Sequence, residues 1–218
     1  AKAMAPRLAE RARAAEAAGK VPVETVREMN EAGLFRVLQP KRFGGFELDP
    51  RVFYRVQMAL AEGCMSTAWI YGVISVHNWH LPLFPEQAQQ DVWANDTSVL
   101  IASTYMPTGK AEAVEGGYRF SGRWGFSSGV EHCDWILLGG LLPKKDGSGA
   151  LEHTTFLLPK ADFRIEHNWD VLGLRATGSH DIVVDGPQTN CKNALAALAQ
   201  LSREWPWAPA RRSNRSAR

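Results

Sequence analysis

The chain has 218 residues, of which 45% are hydrophobic, enough apolar sequence to build a buried core in one large or two small globular domains. The net charge is +2, but the residues from Gln188 onward contain six basic residues and one glutamate, so the rest of the chain carries −3. A mildly acidic body with a short basic end gives no electrostatic argument for nucleic-acid binding.

Three widely spaced cysteines, Cys64, Cys133 and Cys191, fit neither a disulfide framework nor a C-x-x-C metal site. We therefore expect a reducing, cytoplasmic setting. Residues 1–20 alternate alanine with charge, and no run of 18 apolar residues occurs in the sequence. Neither export nor membrane insertion is expected.

Helical patterns fill residues 1–95, which we predict to form an all-α domain. The predicted helices combine strong helix formers with apolar residues at helical spacing, and glycine or proline separates them. They are residues 4–18, 23–35, 51–62, 65–77 and 85–96.

After residue 95 the pattern changes to short segments rich in β-branched and aromatic residues, separated by turn residues at intervals of about ten. The predicted strands are residues 98–103, 118–126, 134–142, 153–159, 163–169 and 181–185. Gly116 and Gly117 suit a hairpin turn. The sequence therefore predicts an α+β fold with a β-sandwich or small barrel in residues 96–186.

Residues 187–218 differ from the rest of the chain. An alanine- and leucine-rich segment there is long enough for three helical turns, and a Trp-Pro-Trp-Ala-Pro sequence and a basic end follow it. We treat these residues as a third, atypical segment.

The segment Gly122–Gly129, GRWGFSSG, is the first candidate for a cofactor site. Trp124 and Phe126 are two residues apart and are predicted to share one face of a strand, while Ser127 and Ser128 form an open, polar corner. A reduced flavin needs an aromatic or apolar wall and fixed polar groups at its reactive edge. The alternative is an ordinary turn beside two core aromatic residues.

Two histidines, His77 and His80, end the apolar helix. No third ligand follows at a suitable spacing, so no metal site is predicted. Either histidine is instead a candidate neutral imidazole that accepts a phenol proton, and the alternative is helix C-capping or histidines satisfied by neighbouring carbonyls. Ser103 and Thr104 are predicted to end a strand before a Pro-Gly loop.

The segment Gly173–Ser179, GLRATGS, combines Arg175 with hydroxyl groups and glycines, as phosphate-binding loops do. The alternative is a connecting loop whose arginine pairs with an aspartate. The sequence has no G-x-G-x-x-G, P-loop, G-x-S-x-G or H-E-x-x-H motif, so Rossmann, NTPase, hydrolase and zinc-protease functions lack support.

In chain order, LQPKRFGG, HNWH, IASTYMP, RWGFSSG and GLRATGS make residues 8–185 resemble the oxygenase subunits of two-component aromatic hydroxylases. These have the acyl-CoA dehydrogenase fold, and the steroid-catabolic members are more similar than the 4-hydroxyphenylacetate hydroxylases. The resemblance implies that a separate NAD(P)H flavin reductase supplies reduced FMN or FAD. With O2, the oxygenase would then hydroxylate a phenol ortho to its hydroxyl group.

The same resemblance implies roles for individual residues. His77 would meet the phenolic oxygen, Ser103 would lie near the substrate or flavin, and Ser128 would bond near flavin N5. Separations of 26 and 25 residues agree with the family's arrangement and favour His77 over His80 and Ser128 over Ser127.

Further flavin contacts are expected on the same basis. Trp124, Phe126 and Ser127 would border the ring, and Arg175 with Ser179 would take the phosphate side.

Members of this family continue into a C-terminal four-helix bundle that completes the flavin pocket and builds a tetramer. About thirty residues follow Asp185 here, and they do not resemble the start of that bundle. We therefore expect a truncated or frameshifted gene whose product binds flavin poorly and hydroxylates nothing measurable. Two alternatives stay open: an acyl-CoA dehydrogenase-type flavoprotein, and a non-catalytic fragment that binds other subunits.

Overall fold

The structure, a computed structural model, describes residues 1–144 and 146–185 and the backbone of residues 190–191 and 193–196. The helices are α1 (Ala5–Ala18), α2 (Val23–Glu31), α3 (Pro50–Ala61), α4 (Met65–Ser75), α5 (His77–His80) and α6 (Glu86–Trp93). The strands are β1 (Ile101–Val114), β2 (Gly117–Ser127), β3 (Trp135–Pro143), β4 (Leu151–Pro159), β5 (Arg164–Glu166), β6 (His180–Val184), β7 (Asn190–Cys191) and β8 (Asn193–Ala196). The α+β prediction is confirmed, whereas the domain boundaries at residues 95 and 186 stay predictions.

The helix ends follow local chemistry. Helix α1 ends at Gly19, whose φ of 68° is a left-handed conformation that glycine adopts at little cost. Helix α3 begins after Asp49, whose carboxylate accepts a hydrogen bond from the Arg51 N–H at 2.8 Å. The predicted helix 65–77 is two helices, because α4 ends at Ser75 and α5 follows as a separate turn. In the described part of the chain, no helix is long and apolar enough to cross a membrane.

The strands form one mixed sheet in the order β5-β6-β2-β1-β3-β4-β8, and β7 pairs with β2. Strands β1 and β3 run parallel, and the other pairs are antiparallel. Strands β7 and β8 pair with β2 and β4, the two strands that flank the β1–β3 pair. The choice between a sandwich and a small barrel stays a prediction.

The helix predicted in the alanine-rich segment is wrong at Asn193–Ala196, which form β8. These residues pair with β4 at the positions Thr154–Leu157. A sheet edge that offers unpaired backbone groups outweighs the helix propensity of alanine and leucine. The rest of the predicted segment lies outside the described residues.

Strand β1 is longer than predicted. Ser103 and Thr104 do not end it, since it continues through Pro107 to Val114. Its pairing with β3 shifts register between Thr104 and Gly109. Proline is tolerated in this irregular stretch, where its missing N–H removes no regular ladder bond.

Aromatic side chains fill the core of the sheet. The rings of Phe120 and Phe156 stack at 4.1 Å, and Trp124 lies 5.1 Å from Phe120. The indole Nε1–H of Trp124 is bonded to the carbonyl oxygens of Gly139 at 2.8 Å and Met106 at 3.1 Å. Trp124 therefore satisfies buried backbone groups as well as filling space.

We expect Trp124→Phe to lower the free energy of unfolding by about 2 to 3 kcal/mol, because it leaves two carbonyl groups without their indole donor. Urea unfolding measures this loss. Trp93→Phe is the matched control, since Trp93 is equally buried and its indole N–H has no partner in the described structure. An equal or larger loss in the control would contradict this account.

Candidate functional site

A cleft of about 380 Å³ opens between α4, the start of α5 and the sheet. Most of its lining is apolar or aromatic, with a few hydroxyl groups and one imidazole. The lining residues are Trp69, Val73, Val76, His77, Ser103, Thr104, Tyr105, Phe126, Ser128, Trp169, Leu174, Thr177 and Ser179. Such a composition is typical of small-molecule and cofactor sites.

A bulge in β2 shapes one wall of the cleft. The β2–β6 register shifts between Trp124 and Ser127, and Phe126 has a φ of 64°. Because the bulge interrupts the alternation of side chains, Phe126 is 70% exposed at the cleft while Trp124 is buried in the core. The prediction that the two aromatic residues share a face is therefore wrong, and Trp124 does not line the cleft. The Thr104 hydroxyl donates to the Gly125 carbonyl at 2.9 Å and ties the bulge to β1.

The two serines of the corner have different surroundings. Ser127 is fully buried, does not line the cleft, and its hydroxyl has no partner in the described structure. Ser128 lines the cleft, where its Oγ accepts a hydrogen bond from Trp69 Nε1–H at 3.1 Å. The Ser128 Oγ also lies 2.7 Å from Ser179 Oγ. The structure thus brings Ser128 and Ser179 together and leaves Ser127 outside the site.

The loop that carries Ser179 is fixed by backbone hydrogen bonds. The Glu16 carboxylate accepts from the Ala176 N–H at 3.3 Å, and the Ala176 carbonyl accepts from the Val21 N–H at 2.9 Å. The Thr177 carbonyl accepts from the Gly129 N–H at 2.8 Å. This loop is therefore held against both the helices and the end of β2.

Arg175 is separated from Ser179. Its guanidinium pairs with Asp170 at 3.1 Å and does not line the cleft, as in the alternative interpretation of the GLRATGS segment. Within the described ranges, no lysine or arginine lines the cleft. The residues present thus suit an uncharged ring system better than a phosphate.

Tyr105 lies between His77 and His80, the two candidate histidines. Its hydroxyl is 2.8 Å from His80 Nδ1 and 3.1 Å from His77 Nδ1. Tyr105 and Ser103 are two residues apart in β1 and both line the cleft, a spacing that could have identified the tyrosine from the sequence. Since one hydroxyl has one proton, Tyr105 donates to at most one Nδ1, so at least one of the two neutral histidines carries its proton on Nδ1 and donates it to Tyr105.

Burial controls the charge of this group. It lowers the pKa of His77 to about 3, with a further contribution from His80, and it lowers the pKa of His80 to about 4. Burial also raises the pKa of Tyr105 well above its ordinary value. All three side chains are therefore neutral at pH 7. The Nε2 atoms of both histidines are buried and have no partner in the described structure.

A second histidine cluster lies beside the cleft. Side-chain ligand atoms of Glu131, His167 and His180 all lie within 4.8 Å of one another. His180 Nδ1 accepts from the Trp169 N–H at 3.2 Å, so the neutral ring carries its proton on Nε2, which faces Glu131. Lys20 also pairs with the Glu131 carboxylate at 3.2 Å. These contacts favour an ion-pair network over a metal site.

Comparisons with known proteins agree with this architecture. Residues 1–97 match the family described as acyl-CoA dehydrogenase, N-terminal domain. Over 183 residues the chain is 45% identical to the flavin-dependent monooxygenase oxygenase subunit HsaA of Rhodococcus jostii, covering 84% of this chain and 47% of that protein. The chain is a homologue of flavin-dependent monooxygenase oxygenase subunits with the acyl-CoA dehydrogenase-like fold. The resemblance to these subunits and the fold that the sequence predicted are thereby confirmed.

Two further relatives define the extent of the match. The oxygenase component of an FADH2-dependent resorcinol hydroxylase from Rhizobium sp. is 37% identical over 174 residues, covering 80% of this chain and 42% of that protein. The crystal structure of 3-HSA hydroxylase from Rhodococcus sp. RHA1 superposes with a TM-score of 0.83 and 43% identity, covering 89% of this chain and 50% of that chain. The chain spans about half the length of these relatives.

The buried histidines predict a specific pH dependence of stability. His77 and His80 stay neutral in the folded protein below their ordinary pKa of 6.5, whereas the unfolded chain binds protons there. Stability is thus lost as pH falls from about 6.5 towards about 4, by up to about 1.4 kcal/mol per pH unit for each histidine. We expect His77→Gln to reduce this slope by about one proton, measured by urea unfolding between pH 5 and 6. An unchanged slope would mean that His77 is not buried as described.

Proposed function

We propose that this chain provides the helical and β regions of the oxygenase component of a two-component, flavin-dependent monooxygenase. The substrate would be a phenol, hydroxylated ortho to its hydroxyl group with reduced flavin and O2. The observation that carries the proposal is a single apolar cleft with the His77–Tyr105 pair on one side and Ser128 on another. The homologous oxygenase subunits support the reaction class.

The cleft suits the ring of a flavin. Phe126 and Trp169 present aromatic surfaces that meet edge to face at 5.7 Å, and Trp69 lines the cleft from α4. Ser128 has a hydroxyl oxygen with an unused acceptor position at the cleft. Because no cation lines the described part of the cleft, it would hold the ring and leave the phosphate to other residues. FMN and FAD therefore fit equally well.

His77 would orient the phenol. Its Nε2, which is buried and has no partner in the described structure, can accept a hydrogen bond from a phenol that reaches it only if Nδ1 carries the proton and donates to Tyr105. The pKa of about 3 makes His77 too weak a base to remove a phenol proton of pKa about 10 completely. Ser103 lies two residues before Tyr105 in β1, lines the cleft, and would contact substrate or flavin. Reduced flavin, when bound, would activate O2 for transfer of one oxygen atom to the phenol ring.

The acyl-CoA dehydrogenase alternative has less support. Its chemistry requires a carboxylate base, whereas the cleft presents His77 and Ser128, which suit the hydroxylase. Reduction of a bound flavin by an acyl-CoA would favour that alternative over the hydroxylase.

A non-catalytic fragment is the second candidate, and exposed apolar side chains on α3 and α4 favour it. Tyr54, Met58 and Met65 are 58% to 69% exposed, and Trp69 is 44% exposed beside the cleft. Such a strip is typical of a surface that another protein segment covers. Self-association on a sizing column without binding of FMN or FAD would support the fragment. Phenol turnover by the chain with a reductase, NADH and O2 would overturn its expected inactivity.

Partners and location follow from the proposed reaction. A separate NAD(P)H flavin reductase would supply the reduced flavin, and the full-length oxygenase would form a homotetramer. A cytoplasmic location is supported by two free, buried cysteines, Cys64 and Cys133.

Binding of reduced flavin tests the proposal. We expect anaerobic titration with reduced FMN or FAD to show weak but saturable binding that Ser128→Ala weakens about fivefold to tenfold further, because one hydrogen bond is lost. Ser127→Ala is the matched control, since it removes a buried neighbouring hydroxyl that has no partner in the described structure. Equal effects of the two substitutions, or no binding of reduced flavin, would contradict the proposed site.

A further inference from the structure

Four hydrogen bonds connect one wall of the cleft to the opposite loop. Trp69 Nε1 lies 3.1 Å from Ser128 Oγ, which lies 2.7 Å from Ser179 Oγ. Ser179 Oγ lies 2.7 Å from Thr177 Oγ1, and Thr177 Oγ1 lies 2.8 Å from the Leu174 carbonyl oxygen. We call these five groups the hydroxyl chain.

Both ends of the hydroxyl chain have a fixed polarity. An indole nitrogen only donates and a carbonyl oxygen only accepts, so Trp69 donates to Ser128 and Thr177 donates to Leu174. Each of the three hydroxyl groups has one proton. Ser179 must therefore donate to Thr177, since no other proton is left between those two oxygens, and Ser128 must donate to Ser179.

The Leu174 carbonyl makes this direction hard to reverse. Its oxygen accepts from the Thr177 hydroxyl at 2.8 Å. The Thr177 N–H at 3.1 Å and Trp169 Nε1–H at 3.3 Å also donate to it, so the cost of a reversal falls on the Thr177 oxygen and not on the carbonyl. If Thr177 turned its proton towards Ser179, two oxygen lone pairs would face each other at 2.8 Å. Thr177 is also buried, so water does not replace the lost bond.

The consequence lies at Ser128, the member of the hydroxyl chain that would meet the flavin. Its proton is used by Ser179 and one lone pair by Trp69, so only one acceptor position is left for the cleft. A ligand group that donates fits this position without any rearrangement. A group that accepts does not.

We propose that Thr177 and Ser179 are positioning residues that hold the Ser128 hydroxyl as an acceptor, so that the cleft prefers reduced flavin to oxidised flavin. Reduced flavin carries a proton on N5, whereas the N5 of oxidised flavin is an acceptor. This inference rests on the proposed function, which puts flavin N5 beside Ser128.

The preference follows from the number of hydrogen bonds. To donate to an oxidised flavin, Ser128 must stop donating to Ser179. Ser179 then turns its own proton towards Ser128, and Thr177 loses the hydrogen bond that Ser179 donated to it. The hydroxyl chain falls from four bonds to three. In Thr177→Val, Ser179 has no acceptor to lose, so Ser128 can turn towards either form of flavin at no cost.

The test compares the dissociation constants of the whole chain for oxidised and for reduced flavin, measured by anaerobic titration with FMN or FAD. We expect Thr177→Val and Ser179→Ala to lower the ratio of the two constants about threefold to tenfold, the value of one buried hydrogen bond. This corresponds to a fall of about 15 to 30 mV in the two-electron potential of the bound flavin. The conservative variant Thr177→Ser keeps the hydroxyl and should keep the wild-type ratio.

The outcomes separate this inference from the proposed function. A wild-type chain that binds neither form of flavin overturns both. Binding of reduced flavin with a ratio that Thr177→Val leaves unchanged overturns the inference alone. A general loss of structure would weaken the binding of both forms equally and leave the ratio unchanged, so that result would count against the inference. A ratio that Thr177→Val lowers and Thr177→Ser keeps at the wild-type value supports it.

Discussion

The position of the loop carrying Thr177 and Ser179 depends on the Glu16 carboxylate near the end of α1. The Glu16 carboxylate accepts hydrogen bonds from the Ala176 N–H and from the Ser66 hydroxyl of α4. One half-buried carboxylate therefore connects α1 and α4 to the loop. Charge-assisted bonds of this kind are stronger than neutral ones. Because the loop is fixed in this way, its hydroxyl groups reach Ser128 in one arrangement and not in several.

The bulge in β2 has an equally direct effect on the cleft. A regular strand would turn Phe126 into the core beside Trp124, but the irregular backbone turns Phe126 outward and lets Trp124 satisfy buried carbonyl groups. Because of the bulge, Trp124 packs in the core while Phe126 is free to contact a ligand in the cleft. At the far wall, Tyr105 and the two histidines form a neutral group, so the cleft contains polar atoms without any fixed charge there.

Much of the fold could be predicted from the sequence, because the apolar spacing changes from helical to alternating after residue 95 and glycine or proline marks the ends of the elements. The exposure of Phe126 could not, since a bulge depends on pairing with a strand that is distant in sequence. Tyr105 could have been found from Ser103 by alternation, but the strand was expected to end at Thr104. The direction of the hydroxyl chain depends on the Leu174 carbonyl, a backbone group that no side-chain pattern reveals.

The central claim is that reduced flavin binds with its N5–H directed at Ser128. The most direct measurement is NMR of the chain bound to reduced flavin labelled with ¹⁵N at N5, under anaerobic conditions. The account predicts an N5-bound proton that is protected from exchange and close to the Ser128 β-protons, and it predicts that Ser128→Ala removes this protection. An exchanging N5 proton, or one whose contacts lie away from Ser128, would contradict the account.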